Sequence, residues 1–397
     1  MRVLVIGAGP AGMRCAESLA AAGMEVVLCG EEPALPYDRV ALGRVLGGEA
    51  EPQALITHDA AQLRALGIAY RPAVRIAALD VMARRALTAR DEAIGWDRAV
   101  LATGSEPIRL ALPGAELPGV FVYRRIADVL AMRRHLVPGM RVAVIGGGLL
   151  GLEAAAALAG RGARVTVVHA AAWPMERQLD AGAGALLARG IASRCGLRFL
   201  MPTAAEAIEG EGAVRALRLA DGTRLAAEMV VMAVGVRPNL ALARQAGLAC
   251  ARGILVDEAM RTSAPGVLAI GECAEHRGVV CGLVAPALAM AETAAATIAG
   301  RADAYVPRPD AAVLKVAGIA LFSAGEIAPP GTEAITLQDP GAGLYRRLWL
   351  RGGRLVGAVL HGATADAPFF LDLIATGREV AALRPMLAFG PAFQEAA

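Results

Sequence analysis

Two stretches of the 397-residue chain carry glycines at the spacing that lets a backbone wrap around a phosphate. The first, Gly7-Ala-Gly-Pro-Ala-Gly12, follows the apolar run Arg2-Val-Leu-Val-Ile6 and opens an alanine-rich helical pattern with Cys15 and Leu19 on its apolar face. Gly7 permits the tight turn, Gly9 lets the backbone approach a pyrophosphate, and Gly12 lets helix and strand pack closely. A helix starting there offers free N–H groups and the positive end of its dipole to an anion. The next apolar run, Val26-Val-Leu28, leads to Gly30, and Glu31 and Glu32 then stand about 20 positions beyond the glycines, where ribose hydroxyls need an acceptor. One such motif is a weak signal, because glycines punctuate many turns.

The second stretch repeats the first. Arg141-Val-Ala-Val-Ile145 runs into Gly146-Gly-Gly-Leu-Leu-Gly151, then Glu153, another alanine-rich helical pattern and the strand-like Val165-Thr-Val-Val168. Gly146, Gly148 and Gly151 take the same three roles. Two dinucleotides on one chain imply FAD together with NADH or NADPH, and the reaction class that follows is hydride transfer between two held cofactors. Ala99-Val-Leu-Ala-Thr-Gly104 and Met229-Val-Val-Met-Ala-Val-Gly235 are short apolar strands ending in glycine turns, where the chain is expected to cross between domains. Leu268-Ala-Ile-Gly-Glu-Cys273 is a third, with Glu272 placed for a ribityl hydroxyl.

The elements holding these loops need more than one core, and the length suggests two or three domains. Hydrophobic residues make up 56% of the chain and mean hydropathy is +0.49, which raises the question of a membrane. The run without charge from Gly278 to Ala291 has fourteen residues, short of the roughly 20 that span a bilayer. No signal peptide is expected, so the sequence reads as soluble and cytoplasmic. Net charge is +3, Lys315 is the only lysine and aromatic residues are 4%, with no basic block or stacking stripe for nucleic acid. The cysteines Cys15, Cys29, Cys195, Cys250, Cys273 and Cys281 form no C-x-x-C pair and no metal spacing. They are expected as reduced thiols of the core, and no metal site is expected.

Together these segments resemble the two-dinucleotide FAD reductases, which include rubredoxin and ferredoxin reductases, and in particular the N-terminal flavin module of the assimilatory nitrite reductase large subunit. The residues carrying the resemblance are Glu31-Glu-Pro-Ala-Leu-Pro-Tyr-Asp-Arg39, Ala102-Thr-Gly-Ser105, Gly146-Gly-Gly-Leu-Leu-Gly-Leu-Glu153, Gln178-Leu-Asp180, Gly235-Val-Arg-Pro238, Gly271-Glu-Cys-Ala274 and Gly282-Leu-Val-Ala-Pro286. Tyr345-Arg-Arg-Leu348 and Leu355-Val-Gly-Ala-Val359 extend it into the tail. It implies that Arg39, Thr103, Gly104, Gly235 and Gly271 line the cofactors and that Glu153 lies near the nicotinamide; the bland alternative for Glu153, compatible with that role, is support of its helix start.

Three departures shape the expectation. The cysteines of the iron–sulfur and sirohaem regions are missing, so the chain looks like a stand-alone reductase feeding a nitrate reductase, a nitrite reductase or a small iron–sulfur carrier. The rubredoxin-reductase branch carries a lysine near flavin N5; here that position is Arg44, whose charge would favour reduced flavin or pair with Glu153, and whose bland alternative is a solvated helix arginine. An acidic residue often follows the second ribose strand, but this chain has His169, with Arg177 nearby; losing the carboxylate favours NADPH or dual use, unless His169 merely fills the strand end. Trp173 is expected to pack, the alternative being a place at the border of the adenine, and His58 and His276 are expected to be surface or loop histidines.

The expected fold is α/β, with two Rossmann-like dinucleotide-binding domains, one inserted in the other, and a small C-terminal α+β domain. The FAD part spans 1–112 and 237–304, the NAD(P)H part 113–236, and the third part 305–397, after a hinge at Val306-Pro-Arg-Pro309. In that third part the segment of Lys315, Val316 and Ile319 is predicted as a strand, and a hairpin is predicted around Arg351-Gly-Gly-Arg354. The resemblance implies that this part covers the flavin and can support a homodimer. The rival readings are a reductase serving an oxygenase and a flavin-bound redox-sensing protein with negligible turnover.

Overall fold

The strands Arg2–Ile6, Glu25–Cys29, Arg141–Ile145 and Arg164–Val168 share one burial pattern, an exposed charged residue followed by four buried ones. Unbroken burial of this kind marks parallel strands covered on both faces. The computed structural model describes residues 1–301, 304–307 and 311–393, and within them the chain divides into two units. The first comprises Met1–Leu42, Ala50–Glu106 and Val236–Pro307; the second comprises Gly43–Glu49, Pro107–Gly235 and the C-terminal segment. Of the expected hinge, Arg308 and Pro309 lie outside the described residues.

In the first unit a five-stranded parallel sheet has the order Val267–Ala269, Arg98–Leu101, Arg2–Ile6, Glu25–Cys29, Ile68–Arg71. The helices Pro10–Ala21 and Val284–Ile298 bury alanines, Leu19 and Met290 in its core. The second helix takes up only the later part of the uncharged run, from Val284 to Ala291, after a strand at Val279–Val280, and among the described residues no helix is long and apolar enough to cross a membrane. The second unit repeats the plan, with the parallel order Arg198–Leu200, Arg164–Val168, Arg141–Ile145, Met229–Met232, Val120–Val122. Arg2 lies opposite Glu25 and Ile6 opposite Cys29; in the copy, Arg141 lies opposite Arg164 and Ile145 opposite Val168. The two glycine loops therefore leave their sheets at the same register.

The second unit also holds a five-stranded antiparallel sheet, covered by the helix Ala367–Thr376 through Phe370 and Leu373. The predicted hairpin is present, its strands Leu344–Arg351 and Arg354–His361 joined by Gly352 and Gly353, both at positive φ. The single strand expected at Lys315 to Ile319 is instead two, Ala311–Val316 and Ile319–Gly325, with Val316 paired to Ile319. Ala317 and Gly318 both have positive φ (47° and 78°), the backbone of a two-residue hairpin turn, and an alanine there gave no sequence signal. His276 also departs from expectation: it is 3% exposed and lies edge-on to Tyr305, whereas His58 pairs with Glu17.

One buried carboxylate ties elements of the second unit together. Asp180 is 4% exposed, caps the helix Ala181–Cys195, and accepts hydrogen bonds from the Tyr345 hydroxyl and from Arg347 Nη1 at 3.1 Å. The hydroxyl is held protonated by burial and by the carboxylate, its pKa raised to about 12. Truncating one partner of a buried charged set strands the others. Asp180→Ala is expected to lower unfolding free energy by about 3–5 kcal/mol and Tyr345→Phe by about 1.5–3 kcal/mol, read from urea unfolding; a neutral Asp180→Ala would remove this cluster as a structural tie.

Candidate functional site

The glycine loops are superimposable in their chemistry. Gly7 N–H donates to Cys29 O at 2.8 Å, and Gly146 N–H donates to Val168 O at 2.8 Å. Gly7 and Gly146 have φ of 115° and 114°, and a Cβ at either would stand 2.1 or 2.3 Å from the carbonyl oxygen of Ala102 or Ala233. A Cβ at Gly12 or Gly151 would lie 1.8 or 2.1 Å from the carbonyl oxygen of Gly7 or Gly146. These four positions exclude any side chain, because backbone meets backbone there.

The middle glycines behave differently. A Cβ at Gly148 would meet nothing within 4 Å, and one at Gly9 only Arg39 Nε at 4.0 Å. Each ends a loop and starts a twelve-residue helix, Leu149–Gly160 or Pro10–Ala21, with no side-chain cap and no acidic residue in the first turn, so Glu153, which begins the second turn, does not support its helix start as expected. The first four N–H groups of a helix lack helical partners. Each loop is thus an open hollow faced by backbone donors and a positive dipole end, which fits a pyrophosphate.

Around the first hollow, Glu32 accepts from the Tyr37 hydroxyl at 2.9 Å and from the Arg39 guanidinium, which also lies over the Tyr37 ring. Glu31 is more exposed and stands 3.9 Å from Arg75. Of the two expected ribose acceptors, Glu32 is paired with Arg39, the side chain that comes nearest to the open face of Gly9. Gly104 and Gly271 adopt positive φ, and the Thr103 hydroxyl donates to Asn239 O at 2.9 Å. Glu272 accepts from the Ser105 hydroxyl at 2.8 Å. Cys273 is buried behind them, its thiol directed at Leu101 O and Ile270 O. All six cysteines are free thiols. Gly7, Gly9, Gly12, Glu31, Glu32, Arg39, Thr103, Gly104, Gly271 and Glu272 therefore gather in the first unit.

Gly146, Gly148, Gly151, Glu153, His169 and Gly235 gather in the second unit, with Arg44 on its short helical segment. Gly235 (φ 110°) occupies the strand exit that Gly104 occupies in the first sheet. Arg44 is exposed, and among the described residues no ion pair joins it to Glu153. Glu153 is half-buried, and burial raises its pKa from 4.5 to about 7. Tyr123, which the sequence did not single out, is 4% exposed; burial raises its pKa and the Glu153 charge raises it further. A Cβ at Gly43 would stand 3.4 Å from its hydroxyl.

His169 is not a strand-end filler. Its Nδ1 accepts from Gly147 N–H at 3.1 Å, and its Nε2 lies 3.1 Å from Glu176 Oε2. A Cβ at Gly147 would stand 2.9 Å from the imidazole Cγ, so this glycine makes room for the ring. The first loop has the reverse arrangement, with Ala8 at the position of Gly147 and Gly30 at that of His169. Trp173 packs, donating to Leu179 O at 2.9 Å and lying against Gly184.

Residues 1–297 match the pyridine nucleotide-disulphide oxidoreductase family, and residues 311–378 match the rubredoxin NAD+ reductase C-terminal domain. The chain is 36% identical over 400 residues to the nitrite reductase [NAD(P)H] of Bacillus subtilis (strain 168), covering all of this chain and 50% of that protein. It is 35% identical over 402 residues to the assimilatory nitrate reductase electron transfer subunit of the same organism, covering 99% of this chain and 52% of that one. The chain thus spans about half the length of these two relatives. The crystal structure of the ferredoxin reductase for the CYP199A2 system from Rhodopseudomonas palustris superposes with a TM-score of 0.88 at 29% identity, covering 96% of this chain and 95% of that one. With its duplicated glycine loops and its C-terminal sheet, the chain belongs to the pyridine nucleotide-disulphide oxidoreductase family.

Proposed function

We propose that the Gly7–Gly12 hollow holds FAD and the Gly146–Gly151 hollow holds NADH or NADPH, and that the chain passes electrons from the nicotinamide nucleotide through flavin to a redox protein. The observation that carries this is the open, uncapped hollow at Gly9 and again at Gly148, each framed by glycines that no side chain could replace. When bound, the two cofactors supply hydride transfer, and the chain's own residues bind, orient and hold protons. Backbone N–H groups at the two helix starts take the pyrophosphates. Glu32, fixed by Arg39 and Tyr37, takes ribose hydroxyls at the first hollow, and Glu272, oriented by Ser105, takes a hydroxyl of the flavin's ribityl chain. The parts of the chain divide accordingly at 1–112 with 237–304, 113–236 and 305–397. Six free thiols suit a reducing compartment, and a cytoplasmic location is part of the proposal.

Glu153 has the protonation range of a group that exchanges its proton near neutrality, and Arg44 and Tyr123 belong to the same unit. We assign Glu153 and Arg44 to the nicotinamide–flavin chemistry, Glu153 as a proton holder and Arg44 as a positive charge favouring reduced flavin. For the acceptor, a nitrate or nitrite reductase is supported by the two Bacillus subtilis relatives. A ferredoxin-type carrier is supported by the match along nearly all of the Rhodopseudomonas palustris reductase.

Anaerobic stopped-flow mixing of the FAD-loaded protein with NADH and with NADPH is expected to bleach the flavin, and adding oxidised ferredoxin or nitrate reductase to restore its colour quickly. Slow reoxidation by both would favour a redox sensor. Gly148→Ala, with open space for its methyl group, is expected to keep the thermal midpoint while weakening nicotinamide nucleotide binding at least ~10-fold, the scale of losing one charge-assisted contact. Unchanged affinity would remove the nucleotide from that hollow. For Glu153 the folded pKa is raised, so its share of stability is present below pH 4.5 and is lost as pH rises towards 7. In the cofactor-free protein Glu153→Gln is expected to remove that loss, gaining on the order of 3 kcal/mol over wild type at pH 8. Parallel stability–pH curves for the two proteins would show that the carboxyl titrates as an exposed one.

A further inference from the structure

We propose that Glu176, held by His169, accepts the adenosine ribose hydroxyls of the nucleotide at the second hollow and repels a 2′-phosphate, so that the chain takes NADH in preference to NADPH. This rests on the assignment of the Gly146–Gly151 hollow to a nicotinamide nucleotide.

The strand Arg164–Val168 ends without a carboxylate, and His169 taken alone would tolerate a 2′-phosphate. The hydrogen bonds of the ring change that expectation. Because Nδ1 accepts the Gly147 N–H, the imidazole proton sits on Nε2, which donates it to Glu176 Oε2. Both ring nitrogens are therefore engaged, and neither is left to donate to a phosphate. What it presents instead is a carboxylate. The His169 side chain is 11% exposed and that of Glu176 is 37% exposed, so the ring is the more enclosed of the two and the carboxylate the more open to a ligand.

The chain between them fixes the distance. Met175 takes a positive φ of 55°, and its N–H donates to Gly147 O at 3.0 Å. Both the N–H and the carbonyl of Gly147 are thereby bonded within residues 169–175, which ties Glu176 to the glycine loop itself. Met175 is 1% exposed and anchors the reversal. Among the described residues the Glu176 carboxylate has no protein partner besides His169, which leaves acceptor capacity for a ribose diol. Arg177 is the nearest residue in sequence that could attract a phosphate. It is exposed, and among the described residues no ion pair or side-chain hydrogen bond fixes it. The charge held in place beside the loop is negative, and a 2′-phosphate would meet it.

The test is calorimetric titration of the FAD-loaded protein with ADP-ribose and with 2′-phospho-ADP-ribose, which lack nicotinamide and report binding without turnover. Wild type is expected to bind ADP-ribose about tenfold or more tightly than its 2′-phosphorylated form. Glu176→Gln is expected to bring the two within about threefold, with Glu176→Asp restoring part of the preference. His169→Gln is expected to move the ratio the same way; if His169 only supported the loop, both ligands would weaken together and the ratio would stay. A ratio unmoved by Glu176→Gln, or a wild-type preference for the 2′-phosphate form, overturns the assignment of Glu176 alone. Failure of wild type to bind either ligand overturns the nucleotide assignment of the second hollow, and this inference with it.

Discussion

The contact of backbone on backbone inside each glycine loop is the constraint on which the rest of the structure depends. The first turn of each helix stands so close to the loop that a methyl group at Gly12 or Gly151 would overlap a carbonyl oxygen. The helix is thereby drawn against the sheet with its N-terminus aimed over the strand ends. The four buried residues of each leading strand supply apolar surface for that close packing. Binding geometry and core packing follow from one choice of residues, and the neighbouring Gly9 and Gly148, free of such contacts, stay open for a ligand.

The two copies differ by a reciprocal exchange where the loop meets the end of the second strand. In the first, a side chain on the loop, Ala8, faces a bare strand end, Gly30; in the second, a bare loop position, Gly147, faces a ring, His169. At Gly30 the remaining space is taken by the Tyr70 hydroxyl, whereas at Gly147 it is taken by the imidazole itself. The first strand end leads into Glu31 and Glu32, and the second strand end holds an imidazole that reaches out to a carboxylate seven residues further along. A fold repeated at the same register can therefore present different acceptors at its two nucleotide edges.

Much of this was legible in the sequence because local patterns decide it. The glycine spacings, the apolar runs before them and the Gly-Gly turn near Arg351 each specify backbone geometry directly, and the parallel sheets, the inserted arrangement and the C-terminal sheet followed. Residues whose roles depend on distant partners were not legible. Tyr123 joins Glu153 only because two elements of the second unit converge, and Asp180 meets Tyr345 across a long stretch of chain. Glu176 comes onto His169 only through the reversal at Met175, a non-glycine residue at positive φ that composition does not announce. The buried His276 was missed for a similar reason, since its cover is Tyr305 from another segment.

On the proposed reading, one chain carries two separate dinucleotide sites. The most direct measurement is flavin content and retention: extract FAD from the purified protein, then follow the bound flavin while saturating amounts of ADP-ribose are added. Two independent hollows predict one FAD per chain that stays bound as ADP-ribose occupies its own site. Stoichiometric release of FAD by ADP-ribose would mean that both compete for one hollow, and would contradict the account.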